Sequence, residues 1–129
     1  MKMLEVTAAI IQQNGKILIC QRPANKSCGL LWEFPGGKIE AGETGEQCVV
    51  RECQEELGVT LLVERELTDI VHEYSDHTVH IHFYLCCIVA GVPKKKEHNA
   101  IVWIAPYEVN KYTFCPADAR MIQIYSQGK

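Results

Sequence analysis

The stretch that decides the fold is residues 37–59, GKIEAGETGEQCVVRECQEELGV. Within it, Thr44 is followed three residues later by Gln47, which is the capping-box pattern that opens a helix. Gly58 stands where a left-handed residue commonly ends a helix. The pattern therefore predicts a helix over about residues 45–57, preceded by a glycine-containing loop whose backbone can approach a ligand closely.

Three glutamates share one face of this predicted helix. Glu52, Glu55 and Glu56 are spaced i, i+3 and i+4, so their carboxylates gather on the same side. Like charges placed in this way repel, and a bound cation would neutralise them. Clustered carboxylate oxygens suit Mg²⁺ or Mn²⁺ better than a soft metal. For the triplet alone, the alternative interpretation is an ordinary solvated acidic face.

Together with Glu43 and Arg51, these residues have the spacing of the Nudix box, and the chain resembles the Nudix hydrolase family. The preceding residues 32–40, WEFPGGKIE, resemble the entry to the box in the MutT-like branch, which includes CTP pyrophosphohydrolases and 8-oxo-dGTP diphosphatases. The resemblance extends, more weakly, over nearly the whole chain. It implies an α/β fold, the Nudix fold, with a mixed β-sheet sandwiched between α-helices. Cys53 replaces a usually larger aliphatic residue, so we expect a slightly looser core and unchanged chemistry.

The resemblance also implies which residues carry the chemistry. Glu52, Glu55 and Glu56 would be the catalytic carboxylates and the metal ligands. Glu56 would be the principal ligand and Glu52 the candidate general base, although the identity of the base stays open. Gly36 would add a backbone carbonyl to the metal. Water attacking a diphosphate must be made nucleophilic while the phosphate charge is neutralised, and a divalent metal does both.

Four further residues of the motif are interpreted as structural. Gly37 belongs to the loop and Gly58 ends the helix. Glu43 and Arg51 are expected to form an ion pair that ties the loop to the helix, because the Arg fork fits a carboxylate.

Two residues outside the box are candidates for metal and substrate binding. Glu97 lies six residues before Trp103, and the resemblance implies a late metal ligand there. The alternative is a solvated loop glutamate beside the lysines at 94–96. Arg22 aligns with an arginine that contacts substrate phosphate in the MutT-like branch, and an exposed arginine at a strand end is the alternative.

Asp118 bears most directly on which base is bound. It corresponds to an asparagine that reads oxidised guanine in the MutT-like branch. An ionised carboxylate only accepts hydrogen bonds, whereas 8-oxoguanine offers an acceptor at O6 and a donor at N7, so Asp118 loses half the match unless it is protonated. The amino groups of cytosine and adenine suit a carboxylate, and the Pro-Ala-Asp run resembles the CTP pyrophosphohydrolase subgroup. A helix-start residue favoured by the helix dipole is the alternative.

Two histidines at alternating positions raise a separate question. His80 and His82 fall on one face of a predicted strand, so a metal site is geometrically possible, but the sequence shows no third ligand. The alternatives are plain sheet surface and the lining of a base pocket. For base recognition, His82 and the backbone near Phe34 are therefore candidates beside Asp118.

Length and composition set the outer limits. The chain has 129 residues, 47% of them hydrophobic, which predicts a single domain over 1–129. The net charge of −3 argues against binding a nucleic-acid polymer.

The seven cysteines are odd in number and include no CxxC pair, so reduced thiols are expected. With no signal peptide and no long apolar stretch, we expect a cytoplasmic protein with no membrane association, as a monomer or weak dimer.

The remaining pattern predicts strands and one more helix. Strands are expected over 4–12, 16–22, 60–74, 78–90 and 101–104, with an Asn14-Gly15 hairpin turn. Residues 31–35 lead into the box, and residues 116–126 have helical spacing with Pro116 in the first turn.

The resemblance thus implies an enzyme, a hydrolase acting on phosphorus-containing anhydrides. The expected reaction is cleavage of a nucleoside triphosphate between the α and β phosphates, giving the monophosphate and pyrophosphate with Mg²⁺ or Mn²⁺. CTP or modified nucleotides are the expected substrates, in sanitation of the nucleotide pool and so in DNA repair. The alternatives are an 8-oxo-dGTP diphosphatase and, outside the enzymes, a non-catalytic nucleotide-sensing Nudix domain.

Overall fold

The structure, a computed structural model, describes residues 3–127. Positions 1, 2, 128 and 129 of the predicted domain lie outside the described residues. In chain order the elements are β1 Met3–Gln13, β2 Lys16–Gln21, β3 Trp32–Glu33, α1 Gly45–Leu57, β4 Thr60–Glu73, β5 Thr78–Ala90, β6 Ala100–Ile104, a 3-10 helix at Pro106–Lys111, and α2 Pro116–Gln127. None of the helices described is long and apolar enough to cross a membrane.

The strands form one mixed sheet in the order β3-β2-β1-β5-β4, with β6 also paired to β2. β1 and β2 form the predicted hairpin, in which Asn14 and Gly15 have φ values of 54° and 76°. Positive φ at both positions matches a type I′ turn. β1 pairs in parallel with β5, from Met3 beside Thr78 onward, whereas β5 pairs antiparallel with β4. Neither the parallel pairing nor the 3-10 helix was predicted.

Helices cover both faces of the sheet, so the predicted fold class is confirmed. Side chains alternate along β1, where Ala8 and Ile10 join the core beneath α2 and Ala9 and Ile11 join the core beneath α1. Cys53 of α1 is fully buried in the second core. Two apolar layers therefore hold α1 and α2 against opposite sides of one sheet.

The predicted limits of α1 and both of its caps are confirmed. The Thr44 hydroxyl accepts from the Gln47 amide at 3.1 Å, and the Gln47 side chain accepts from the Thr44 amide at 2.9 Å. Gly58 has a φ of 72° and its amide donates to the Gln54 carbonyl at 3.0 Å. These contacts satisfy backbone groups that a helix leaves unpaired at its ends, and they set the register of the box glutamates.

Candidate active site

The loop before α1 is held as an extra extended segment beside β1. The amides of Ala9 and Thr7 donate to the carbonyls of Pro35 and Gly37, each at 2.8 Å. Because carbonyl directions alternate along an extended chain, the Gly36 carbonyl points away from β1. No backbone amide among the described residues donates a hydrogen bond to it. It is therefore available as the backbone ligand that the sequence analysis expected.

Both glycines of this loop lie at close approaches, Gly36 to the backbone of β1 and Gly37 to a box side chain. At Gly36, where φ is 157°, a Cβ atom would overlap the Thr7 carbonyl on β1. At Gly37, a Cβ atom would overlap the carboxylate of Glu52. The absence of side chains thus lets the loop lie between the sheet and the first box glutamate.

The three box glutamates have different surroundings. The exposed fraction of the side chain is 11% for Glu56, 18% for Glu52 and 54% for Glu55. One carboxylate oxygen of Glu56, Oε1, is buried and has no hydrogen-bond partner among the described residues. Burial, reinforced by the nearby carboxylates of Glu33, Glu52 and Glu97, raises the pKa of Glu56 to about 9.

These features fit a divalent cation. A buried carboxylate with one oxygen that lacks a hydrogen-bond partner and with like charges nearby is costly when ionised, and a cation among these oxygens would remove the cost. Glu56 and Glu52, with the Gly36 carbonyl nearby, supply hard oxygen ligands. Glu55 and the exposed Glu97 lie farther out, where they could complete a metal shell together with water and phosphate.

Arg51 forms the predicted ion pair with Glu43 and also contacts two of the box glutamates. Its Nε and Nη2 atoms lie 2.6 and 3.0 Å from the two Glu43 oxygens, a bidentate contact. The hydrogen bonds from Arg51 lower the pKa of Glu43 to about 2. The Nη1 atom also donates to Glu52 at 3.1 Å and to Glu55 at 3.3 Å. One guanidinium thus ties the loop to α1 and orients two of the box carboxylates.

Two residues that the sequence analysis did not select, Glu33 and His98, connect the predicted ones. Arg22 Nη1 donates to Glu33 Oε1 at 2.9 Å. His98 Nε2 lies 3.0 Å from Glu33 Oε2 and 3.8 Å from Glu56 Oε1, and its side chain is only 5% exposed. Arg22 is therefore partnered rather than free, and it joins a chain of polar contacts that ends at Glu56. Glu33 lies in the quoted WEFPGG run and His98 follows Glu97, but neither forms a spacing pattern of its own.

Asp118 is buried at the start of α2, with 7% of the residue exposed. Its Oδ1 atom accepts a hydrogen bond from the Phe34 amide at 3.2 Å, and the Phe34 ring stacks on Phe114 at a centroid distance of 5.7 Å. Burial, with a contribution from Glu33, raises the pKa of Asp118 to about 8. At neutral pH the Asp118 carboxyl group is therefore largely protonated, and it can donate as well as accept a hydrogen bond. This is the protonation state in which it could match both O6 and N7 of 8-oxoguanine.

A cleft of about 940 Å³ joins these groups. Carboxylate and loop residues line it together with apolar residues, and the Asp118 carboxyl group lies within 4.8 Å of both the Glu33 carboxylate and the Cys115 thiol. Basic residues of the β2–β3 loop are also present. The lining includes Gly36, Gly37, Glu56, Glu97, Arg22, Lys26, Phe34, Val79, Ile81 and Asp118. The volume lies in the range of small-molecule sites.

His82 does not reach this cleft. Val79 and Ile81 line the cleft from one face of β5, and the alternation of side chains places His82 on the opposite face. There its ring lies 2.9 Å from Glu5 and 3.1 Å from Glu66. The position therefore does not support the assignment of His82 to substrate binding.

Comparison with known proteins identifies the family that the sequence resembles. The NUDIX domain family model matches residues 6–123. The chain is 41% identical over 125 residues to the CTP pyrophosphohydrolase of Escherichia coli strain K12, covering 97% of this chain and 93% of that protein. It is 37% identical over 123 residues to the 8-oxo-dGTP diphosphatase of the same strain, covering 95% of each.

The fold is also shared with solved structures. The solution structure of the Escherichia coli ORF135 protein superposes with a TM-score of 0.84 at 40% identity, covering 98% of this chain and 91% of that one. Nudix hydrolases generally use divalent metals, which agrees with the oxygen ligands found here. With the box geometry, the family model and these relatives in agreement, the chain belongs to the Nudix hydrolase family.

Proposed function

We propose that the chain hydrolyses nucleoside triphosphates between the α and β phosphates, with Mg²⁺ or Mn²⁺, releasing the nucleoside monophosphate and pyrophosphate. One observation carries this proposal: a single cleft contains both the Glu56 carboxylate, whose Oε1 atom is buried without a hydrogen-bond partner among the described residues, and the buried Asp118 carboxyl group. The first suits a metal-bound phosphate chain, and the second suits the polar edge of a base enclosed by apolar side chains.

Each protein group has a role in this proposal. Glu56 is the principal metal ligand, aided by Glu52, Glu55, Glu97 and the Gly36 carbonyl. Bound metal neutralises phosphate charge and makes water more acidic. Glu52, fixed by Arg51 at 3.1 Å, is the candidate base that accepts a proton from the attacking water.

Arg22 is proposed to contact phosphate from the β2–β3 loop. Its guanidinium is held by Glu33 at 2.9 Å and by the Ser27 carbonyl at 2.6 Å, so its position is set before substrate arrives. Pre-positioned donors reduce the ordering cost of binding.

CTP or a modified nucleotide is the proposed substrate. The CTP pyrophosphohydrolase relative supports CTP. Asp118 can accept a hydrogen bond from the cytosine amino group in either protonation state. Only its neutral form can meet both O6 and N7 of 8-oxoguanine, so an 8-oxo-dGTP diphosphatase is the second candidate, in line with the second relative. Housecleaning of the nucleotide pool would follow from either.

The wider setting is proposed on the same basis. One catalytic domain over 1–129 acts on a small-molecule nucleotide in the cytoplasm, as a monomer or weak dimer, and binds neither membrane nor nucleic-acid polymer. The chain's net charge of −3 supports the last point.

The test is pyrophosphate release from CTP, dCTP, 5-modified dCTP, 8-oxo-dGTP and 2-hydroxy-dATP, measured with the wild type and Glu56→Gln. Glu56→Gln removes a metal ligand with little change of volume, so we expect kcat to fall about a hundredfold or more with the fold retained. Glu46→Gln, an exposed glutamate on the same helix, is the matched control. Turnover of Glu56→Gln within about threefold of wild type at saturating Mg²⁺ would refute the assignment. Nucleotide binding without pyrophosphate release by the wild type would indicate a sensor domain instead.

A further inference from the structure

A second group of potential metal ligands lies outside the cleft, on the face of the sheet that carries His82. It consists of Glu5 on β1 with His80 and His82 on β5, and one ligand atom from each lies within 4.8 Å of the other two. None of the three lines the cleft. The third ligand that the sequence pattern lacked is supplied by the parallel pairing of β1 with β5, which places Glu5 directly beside His80.

One nitrogen of each histidine lies close to the same oxygen atom of Glu5. Glu5 Oε1 lies 3.0 Å from His80 Nδ1 and 2.9 Å from His82 Nε2. The two imidazole rings lie side by side with centroids 4.2 Å apart. Donors about 2 Å from a tetrahedral metal ion lie roughly 3 to 3.5 Å from one another, so only small movements would bring these atoms to a common ion.

The opposite nitrogen of each ring is held by a second carboxylate. His80 Nε2 lies 2.7 Å from Asp69 Oδ2, and His82 Nδ1 lies 3.1 Å from Glu66 Oε2. Both carboxylates come from β4, the neighbour of β5. This carboxylate–histidine arrangement is the usual environment of a histidine that binds metal, because the outer carboxylate selects the tautomer and fixes the ring. It is present here twice, once for each proposed ligand.

Charge and donor type identify the class of metal. Three carboxylates surround two imidazoles, so a divalent cation would reduce the local excess of negative charge. Imidazole nitrogen favours zinc and related transition metals, whereas Mg²⁺ is held by oxygen alone. Two histidines and one glutamate form a known zinc ligand set with one position left to water.

We propose that Glu5, His80 and His82 form a second, transition-metal site of the zinc type, separate from the carboxylate site in the cleft. The ion joins β1 to β5, and the carboxylates of β4 hold its histidine ligands in place. The proposal does not depend on the catalytic activity or its substrate.

The test is titration of the full chain with ZnCl₂ by calorimetry, with Mg²⁺ in saturating excess to occupy the carboxylate site. Co²⁺ is used in parallel for its visible absorption spectrum. His80→Gln and Glu5→Gln remove one ligand each, and His72→Gln on β4 is the matched histidine control. We expect wild type and His72→Gln to bind one equivalent of Zn²⁺ that His80→Gln and Glu5→Gln bind at least tenfold more weakly. Circular dichroism of each variant verifies the fold.

A measurement on the wild type avoids reliance on the variants. Addition of Zn²⁺ should shift the ring proton NMR signals of His80 and His82 and leave those of His72 unchanged. Equal Zn²⁺ affinity in all four proteins would overturn the proposal. The proposal would also be overturned if Glu56→Gln abolished all of the Zn²⁺ binding seen in the wild type. In that case the cluster is only a set of histidine–carboxylate hydrogen bonds.

Discussion

Base selectivity should change with pH, because the protonation of Asp118 changes which hydrogen bonds it can form. Its pKa is raised to about 8 by burial and by the carboxylate of Glu33, while Arg22 and the Phe34 amide act in the opposite direction. The neutral carboxyl group can donate to O6 of 8-oxoguanine and accept from N7. The ionised form can only accept, which leaves O6 facing a negative oxygen.

The size of the effect follows from the protonated fraction. With a pKa of about 8, about nine-tenths of Asp118 is protonated at pH 7 and about one-tenth at pH 9. The ratio of kcat/KM for 8-oxo-dGTP to that for CTP should therefore fall about tenfold across this interval. An unpaired buried polar group costs about 1 to 3 kcal/mol, roughly a ten- to hundredfold penalty, so the interaction is strong enough to produce this change.

The assay is the kcat/KM ratio of the two substrates at pH 7, 8 and 9, for wild type and Asp118→Asn. The amide keeps a donor and an acceptor at every pH, and it experiences the same ionisations of the substrates. We expect the ratio of Asp118→Asn to match wild type within a few-fold at pH 7 and to exceed it about tenfold at pH 9. Parallel pH profiles for the two proteins would refute the role of Asp118 in base selection.

Stability gives an independent measurement of the same pKa. The folded-state pKa of Asp118 lies above the unfolded value, so the neutral group contributes stability that is complete below about pH 4 and is lost as pH rises through about 8. The Tm of Asp118→Asn relative to wild type should therefore increase between pH 6 and pH 9. A difference in Tm that is constant over this range would show that the Asp118 pKa is not raised.

Three further predictions concern Glu97 and two residues of the loop before α1. Glu97→Gln should raise the Mg²⁺ concentration needed for half-maximal rate and lower kcat, and a variant that behaves as wild type would make Glu97 a solvated loop residue. Gly37→Ala should reduce kcat by at least about tenfold, because the added methyl group overlaps the Glu52 carboxylate, and unchanged kinetics would show that this carboxylate can move freely. Glu43→Gln should lower the Tm at pH 7 by removing the bidentate contact with Arg51. Because Arg51 lowers the pKa of Glu43 to about 2, most of this stabilisation is lost as pH falls toward 2, so a Tm deficit as large at pH 2 as at pH 7 would contradict the ion-pair explanation.

Sequence patterns over a few residues correctly predicted the helix caps and the hairpin turn, because these features depend on neighbouring residues. The capping box at Thr44, the left-handed Gly58 and the Asn14-Gly15 turn each depend on residues a few positions apart, and each was confirmed. The contact between Glu43 and Arg51 was also predictable, because the helix and its preceding loop bring them together.

Features that depend on distant pairing were not predictable in this way. Alternation placed His80 and His82 on a common face, but it did not indicate which face of the sheet lines the cleft. The third member of their cluster, Glu5, is brought there by a parallel pairing that leaves no local pattern. Glu33 and His98 meet from separate segments, and each is a single polar residue with no spacing pattern of its own.

The protonation state of Asp118 is a further property that the sequence does not reveal. The residue type lists which hydrogen bonds are possible, but the protonation state depends on burial, and burial is a property of the assembled fold. The same cause raises the pKa of Glu56 and of Asp118, yet the two groups should respond differently when ligands bind. A cation beside Glu56 stabilises its ionised form, whereas a base that accepts a hydrogen bond from Asp118 stabilises its neutral form. Changing Mg²⁺ should therefore alter the pH dependence of turnover and leave the pH dependence of base selectivity unchanged.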